Sequence, residues 1–290
     1  ESTILSFSIS NNGRLIAIGL IDHRIALFDL KTNRVIHLMQ GHEGPVNYVS
    51  FSHNDTKLLS TSWDNTIRVW DINQKKELYR LQATGLEVFS SADFSSDDNW
   101  ILTRHPAKES RLLIVNIWEA GTGKLFRSFN DIAEHQTKLP RLIDATFTPK
   151  TNRLLTREPG SVKIWDIKTG EWLQNYPSSY ATLSSDEMNL WALDDRENNI
   201  DVYDTLENEH ATAVIKTPRL KSLDYSWSTG GMSMGVNKYF IQSGDCKKLM
   251  TISGYSVYVW DLAGRRIQSI LENRIPALQK IEPQANMVFL

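Results

Sequence analysis

Cysteine is almost missing from this sequence: Cys246 is the sole one among 290 residues. No internal disulfide can form, which fits a reducing compartment. Charge of one sign is also lacking, since 32 Lys and Arg face 34 Asp and Glu for a net −2. That balance gives no electrostatic reason to expect a nucleic acid or an anionic membrane as partner. No apolar run approaches the roughly 20 residues that span a bilayer, so no membrane span is expected. C-x-x-C, H-E-x-x-H and EF-hand spacings do not occur, and no metal or cofactor is expected. Two strings resemble chemical motifs but fail on context. Residues 231–235 spell G-x-S-x-G, yet a strand-like run follows where a nucleophile elbow needs a helix, and the last histidine, His210, lies upstream. Gly121-Thr122-Gly123-Lys124 has Trp118 where a phosphate-binding loop needs its first glycine. No signal peptide is visible. The first residue is Glu1, so a leader or upstream domain is expected to be missing, and the expected location is cytoplasmic or nuclear.

What is present is aromatic and periodic. There are nine Trp, nine Tyr and ten Phe in a chain that is 41% apolar, enough for a large core. One step recurs: an apolar residue ends a strand-like run, a polar turn follows, and a new run starts seven residues on. It occurs at Ile9/Ile16, Phe51/Leu58, Phe94/Ile101, Phe147/Leu154 and Leu183/Leu190, with one extra residue at Ile241/Leu249, and again at Ile281/Val288. Alternation with period 2 bounded by Ser, Asn and Asp is the pattern of half-buried strands joined by tight turns. A second marker, an aromatic followed by an acid, recurs at Phe28-Asp29, Trp70-Asp71, Trp118-Glu119, Trp165-Asp166, Tyr203-Asp204 and Trp260-Asp261. A period of this length signals stacked units, none of which buries both its faces alone.

Residues 41–71 show the unit in full, from Gly41-His42 to Trp70-Asp71, with apolar runs at 46–51, 57–62 and 66–70. This stretch resembles a WD40 repeat, one four-stranded blade of a β-propeller. The resemblance implies an all-β, seven-bladed propeller in one domain. Its blades fall near 1–40, 41–82, 83–130, 131–177, 178–216 and 217–271, with a partial last blade in 272–290. Blade seven would then be completed by residues outside 1–290 or by a partner strand. It also implies a structural set of His42, Asp64, Trp70 and either Ser60 or Ser62, because a buried indole N–H needs an acceptor and an imidazole can pass the bond on. The second unit alone carries this full set: the turn acid is Asp22 in the first, but Pro159 and Gly254 stand there in the fourth and sixth.

Function by this resemblance is non-catalytic: a scaffold that binds a peptide, loop or domain of a protein partner on the face lined by the wider hairpin loops. Trp63, just before the turn acid, is the candidate anchor, with Tyr48 as companion. Two longer connections, 103–111 and 217–235, are expected to rise as loops, the first bringing Arg104 to a basic edge and the second Tyr225 and Trp227 to the same face. The alternative is an assembly module of a larger chain or coat-like complex that uses the propeller edge. A propeller enzyme would require a convergent ionisable cluster that the spacing does not show.

Overall fold

Short runs rich in β-branched and aromatic residues, cut by Ser, Asn, Asp and Gly, leave this chain little choice but strands joined by tight turns. The computed structural model describes residues 2–82, 91–106, 113–129, 142, 144–178, 181–184, 186–194, 199–205, 211–216, 240–242, 248–253, 256–261 and 266–272. Residues 217–235, with Tyr225 and Trp227, and 277–290, on which the count of seven blades rests, lie outside the described residues. The described residues contain strands and no helix.

Among the described residues six four-stranded antiparallel sheets follow one another, each with its strands in simple up-and-down order. The first holds β1 (Ile4–Ile9), β2 (Leu15–Leu20), β3 (Ile25–Asp29) and β4 (Arg34–Met39). The second holds β5 (Val46–Phe51), β6 (Lys57–Ser62), β7 (Thr66–Asp71) and β8 (Lys76–Gln82). The third holds β9 (Ser91–Phe94), β10 (Trp100–Pro106), β11 (Leu113–Glu119) and β12 (Leu125–Ser128). The fourth holds β13 (Asp144–Phe147), β14 (Leu154–Glu158), β15 (Ser161–Trp165) and β16 (Trp172–Tyr176). The fifth holds β17 (Ala181–Leu183), β18 (Asn189–Asp194), β19 (Asn199–Asp204) and β20 (Ala211–Lys216), and the sixth β21 (Phe240–Gln242), β22 (Lys248–Ser253), β23 (Ser256–Asp261) and β24 (Arg266–Glu272). The described residues divide into two compact units, one up to Leu183 and the other from Ser184 onward.

In the first unit the repeated hairpin step is a pairing register: Ile9 faces Ile16, Phe51 faces Leu58, Phe94 faces Ile101 and Phe147 faces Leu154. In the second unit the extra residue shifts the register, so Ile241 faces Met250 and Leu249 faces Gln242. Sheets of the first unit bury their faces against each other. Ala17, Ile25, Leu27 and Met39 of the first sheet pack on Val46, Val49, Phe51 and Trp70 of the second. Leu59, Ile67 and Val69 then pack on Ala92, Phe94 and Trp118, and Leu102, Val115 and Ile117 on Ala145, Leu154 and Trp165. Burial of this kind contributes roughly 25 cal/mol per Å² of apolar surface and is the main force holding the sheets together.

The turns between first and second strands share one internal design and are clasped across sheets. Ser10, Ser52, Ser95 and Thr148 each accept, through the side-chain hydroxyl, the N–H that opens the next strand, at 2.8–3.0 Å. Asp55 and Asp98 sit in the left-handed region (φ 59° and 58°), which short polar side chains tolerate best after glycine. From there the Asp55 carboxylate accepts the N–H groups of Asn11 and Asn12 in the preceding sheet (2.6 and 2.9 Å). Asp98 does the same for His53 and Asn54 (2.7 and 2.9 Å). Asn152 continues the series by accepting the Ser96 hydroxyl at 2.7 Å.

This clasp separates two substitutions that look alike. Asp55→Gly loses the two bonds but relieves the left-handed backbone, whereas Asp55→Ala loses the bonds and adds strain. Urea titration is expected to find the alanine variant less stable than the glycine variant by about 1 kcal/mol, with both below the parent. Equal stability of all three proteins would show that the clasp carries no energy.

Candidate interaction surface

The turn 63–65 between β6 and β7 is built from below. Gly44 lies so close under it that a Cβ there would stand 2.8 Å from the Asp64 nitrogen, which leaves room only for glycine. Pro45 accepts the Trp63 N–H (3.0 Å), the Ser62 hydroxyl donates to Gly44 O (2.9 Å), and the Asp64 N–H donates to Ser62 Oγ (3.1 Å). Asn65 closes the turn at φ 62°. The Asp64 carboxylate takes four bonds: His42 Nδ1 (2.8 Å) and Glu43 N (2.9 Å) on one oxygen, Thr66 N (2.9 Å) and Thr66 Oγ1 (2.7 Å) on the other. Burial alone would raise its pKa. The bonds from His42, Thr66 and Glu43 outweigh that and hold the carboxyl well below the usual carboxylate range.

From Asp64 the bonding runs inward. His42 Nε2 meets Ser60 Oγ at 2.7 Å, and Trp70 Nε1 donates to the same hydroxyl at 2.8 Å. With the indole donating, the Ser60 proton goes to His42 Nε2 and the His42 proton sits on Nδ1 facing Asp64, so one neutral tautomer satisfies every partner. Ser60, not Ser62, therefore joins the chain; Ser62 braces Gly44. The third and fourth sheets repeat the inner step. Trp118 donates to Thr103 (2.9 Å) and Trp165 to Thr156 (2.7 Å). In the first sheet Asp22 pairs with Arg24, whose guanidinium lowers its pKa to about 2.

Trp63 stands on this braced turn with 42% of its surface exposed, and Ile21, its counterpart in the first sheet, is equally exposed. Sequence spacing pointed to Trp63; Ile21 was missed because nothing but its place before Asp22 marks it.

Two candidates are corrected. Arg104 lies inside β10 and is only 5% exposed, because β10 continues to Pro106 rather than opening into a loop at 103. Its guanidinium pairs with Asp93 and lies 4.0 Å from Asp144. Tyr48 is no free surface ring either: its hydroxyl donates to Asp93 at 2.8 Å, and burial first, then the nearby Asp93 charge, push its pKa well up. Arg157 extends the series, donating to Asp144 (2.7 Å) and to the carbonyl of Ala181 (3.2 Å). A half-buried line of alternating charge thus runs from Asp93 to Arg157 across sheets three and four, with the Tyr48 hydroxyl of sheet two at its end. Among the described residues no group of three or more His, Cys, Asp or Glu is placed to hold a metal, and no helix is long and apolar enough to cross a membrane.

Four-stranded up-and-down sheets, of which the second, third and fourth close on a tryptophan whose N–H is met by a second-strand hydroxyl, are the architecture of WD40-type propeller blades. Residues 33–71 match the family described as "WD domain, G-beta repeat", so the chain carries a WD40 repeat there. It is similar to Periodic tryptophan protein 2 of Saccharomyces cerevisiae, 33% identical over 84 residues, which is 29% of this chain and 9% of that protein. It is similar to E3 ubiquitin-protein ligase COP1 of Pisum sativum, 44% over 64 residues (22% and 9%), and to Apoptotic protease-activating factor 1 of Homo sapiens, 26% over 178 residues (61% and 14%). The matched stretches thus span about a tenth of the length of these relatives.

Two outcomes follow from the bonding. Ser60→Ala strands both the Trp70 N–H and His42 Nε2, while Thr156→Val strands only the Trp165 N–H; the first is expected to cost about 3 kcal/mol in chemical denaturation and the second about half that. Equal losses would mean that His42 adds nothing to the indole bond. Asp64 also makes stability depend on pH. Its folded pKa lies below the unfolded value of roughly 4, so its contribution is present above that pH and is lost as pH falls through the folded value. The stability gap between the parent and Asp64→Asn should be widest near neutrality and shrink below about pH 4. A gap unchanged between about pH 7 and pH 3 would rule out the carboxylate as its source.

Proposed function

We propose that this chain is a non-catalytic interaction platform that takes a peptide, loop or domain of a protein partner on the face formed by the turns at Ile21 and Trp63. WD40 repeats generally mediate protein–protein interaction, and the family is generally non-catalytic. One observation carries the finer reading: Trp63 offers an exposed indole on a turn whose carboxylate takes four hydrogen bonds, so the ring stands on a base that needs no ordering when a partner binds. Further support comes from the cleft of about 420 Å³ beside Phe51, Phe94 and Phe147. Its Asp93 carboxylate accepts from the Tyr48 hydroxyl and pairs with Arg104.

The relatives favour a second reading, a module within a larger assembly, because each matched stretch is a small part of a longer protein. Trp63 is the anchor in the first reading alone; in the second the propeller edge makes the contact. Trp63→Ala should weaken capture of the partner about 30-fold, near 2 kcal/mol, with the melting temperature unchanged. Quantitative binding beside a thermal melt decides it. A lowered melting temperature with full affinity would make the ring structural.

A further inference from the structure

The outermost strands carry a feature that the turn face does not use. In every sheet the pairing of third and fourth strands slips by one residue beside the third-strand aromatic, leaving one extra fourth-strand residue. In the first unit that residue is Ile36, Leu78, Phe126 or Leu173, and all four are exposed. In the fifth and sixth sheets the same place holds Thr212 and Gln268. The bulge itself therefore does not call for an apolar side chain, and four of them turned to water gain nothing within their own sheets.

Across sheets two to four these positions join into one strip. The Tyr79 hydroxyl, next to Leu78, donates to the carbonyl of Ala120 in the turn that leads to Leu125 and Phe126. Arg127 donates to the carbonyls of Ile167 and Lys168 (3.0 and 2.8 Å) in the turn that leads to Trp172 and Leu173. Leu125 is 48% and Trp172 53% exposed, and the Trp100 ring packs on Phe126 at 4.7 Å between centroids. The borders of the strip are cationic. Lys76, Lys124 and Lys168 are exposed, whereas the exposed Arg80 is engaged by Glu77. The turn acids Asp71, Glu119 and Asp166 hold groups of their own turns, Glu77 pairs with Arg68 and Arg80, and only at the far end does the exposed Glu171 interrupt the pattern.

We infer that this strip is a second docking surface and that its occupant is an acidic segment of another protein bearing leucine or aromatic side chains. Apolar centres flanked by Lys and Arg complement such a segment in both respects. A second copy of this chain, docked strip to strip, would set cations against cations.

The test uses the 290-residue chain and a fluorescein-labelled synthetic peptide of about a dozen residues that alternates Glu with Leu and Phe, followed by polarisation. Saturable binding is expected, weakened at least about tenfold by Leu125→Ser with Phe126→Ser and by Lys124→Glu with Lys168→Glu, at unchanged melting temperature. Trp63→Ala should leave it intact, which keeps this surface separable from the turn face. Trp172→Ser, in another sheet, repeats the test should the paired serine variant fail to fold. The inference is overturned by absence of saturable binding, or by binding that responds to the charge changes but not to the apolar ones. It is equally overturned by binding to phosphatidylserine vesicles with none to the peptide, or by a concentration-dependent dimer that the same substitutions abolish.

Discussion

A tryptophan on the third strand fills the space between two sheets, and its N–H cannot reach water there. In the second, third and fourth sheets the same solution appears: a hydroxyl on the second strand, two residues past the one facing the tryptophan, accepts the bond. An indole N–H left unpaired in that place would cost about 1–3 kcal/mol, so the core itself dictates a polar residue on a buried strand. In the second sheet the requirement propagates outward. Ser60 engages His42, His42 engages Asp64, and Asp64 fixes the turn that carries Trp63. One buried donor is thereby connected to an exposed ring.

Between sheets, apolar packing supplies the energy and three polar devices set the alignment. Asp55 and Asp98 clasp the inner turns, Tyr79 and Arg127 reach over the outer ones, and the line from Tyr48 to Arg157 runs through the inner strands. The line adds little net stability over an apolar filling, since desolvation offsets most of the Coulomb gain. It is unforgiving of losing one member at Arg104, whose guanidinium is buried and always charged: the Asp93 and Asp144 charges outweigh its desolvation, and without them it would stand buried and unpaired.

The division of labour is physical. Strands whose backbone groups are paired and whose side chains are buried cannot adapt to a ligand; turns and outer strands can present groups without disturbing them. Trp63 and the strip around Phe126 and Trp172 both stand on supports that are already satisfied, and a partner meeting them would order little of this chain.

Period and turn chemistry are local properties, and the sequence alone determined what depends on them: strands, hairpin registers at Ile9/Ile16, Phe51/Leu58, Phe94/Ile101 and Phe147/Leu154, the marker aromatics, the WD40 repeat at 33–71, and Trp63 before its turn acid. Tertiary structure decided everything that depends on a neighbour in another sheet. Ser60 and Ser62 share one face of β6 by period, and only the reach of the Trp70 indole chooses between them. Arg104 and Tyr48 read as surface residues because their partners, Asp93 and Asp144, are remote or unremarkable in the chain and come near only when sheets stack. Strand spacing specifies which face a side chain takes; which charge waits on the opposite sheet is fixed by packing, and no local pattern records it.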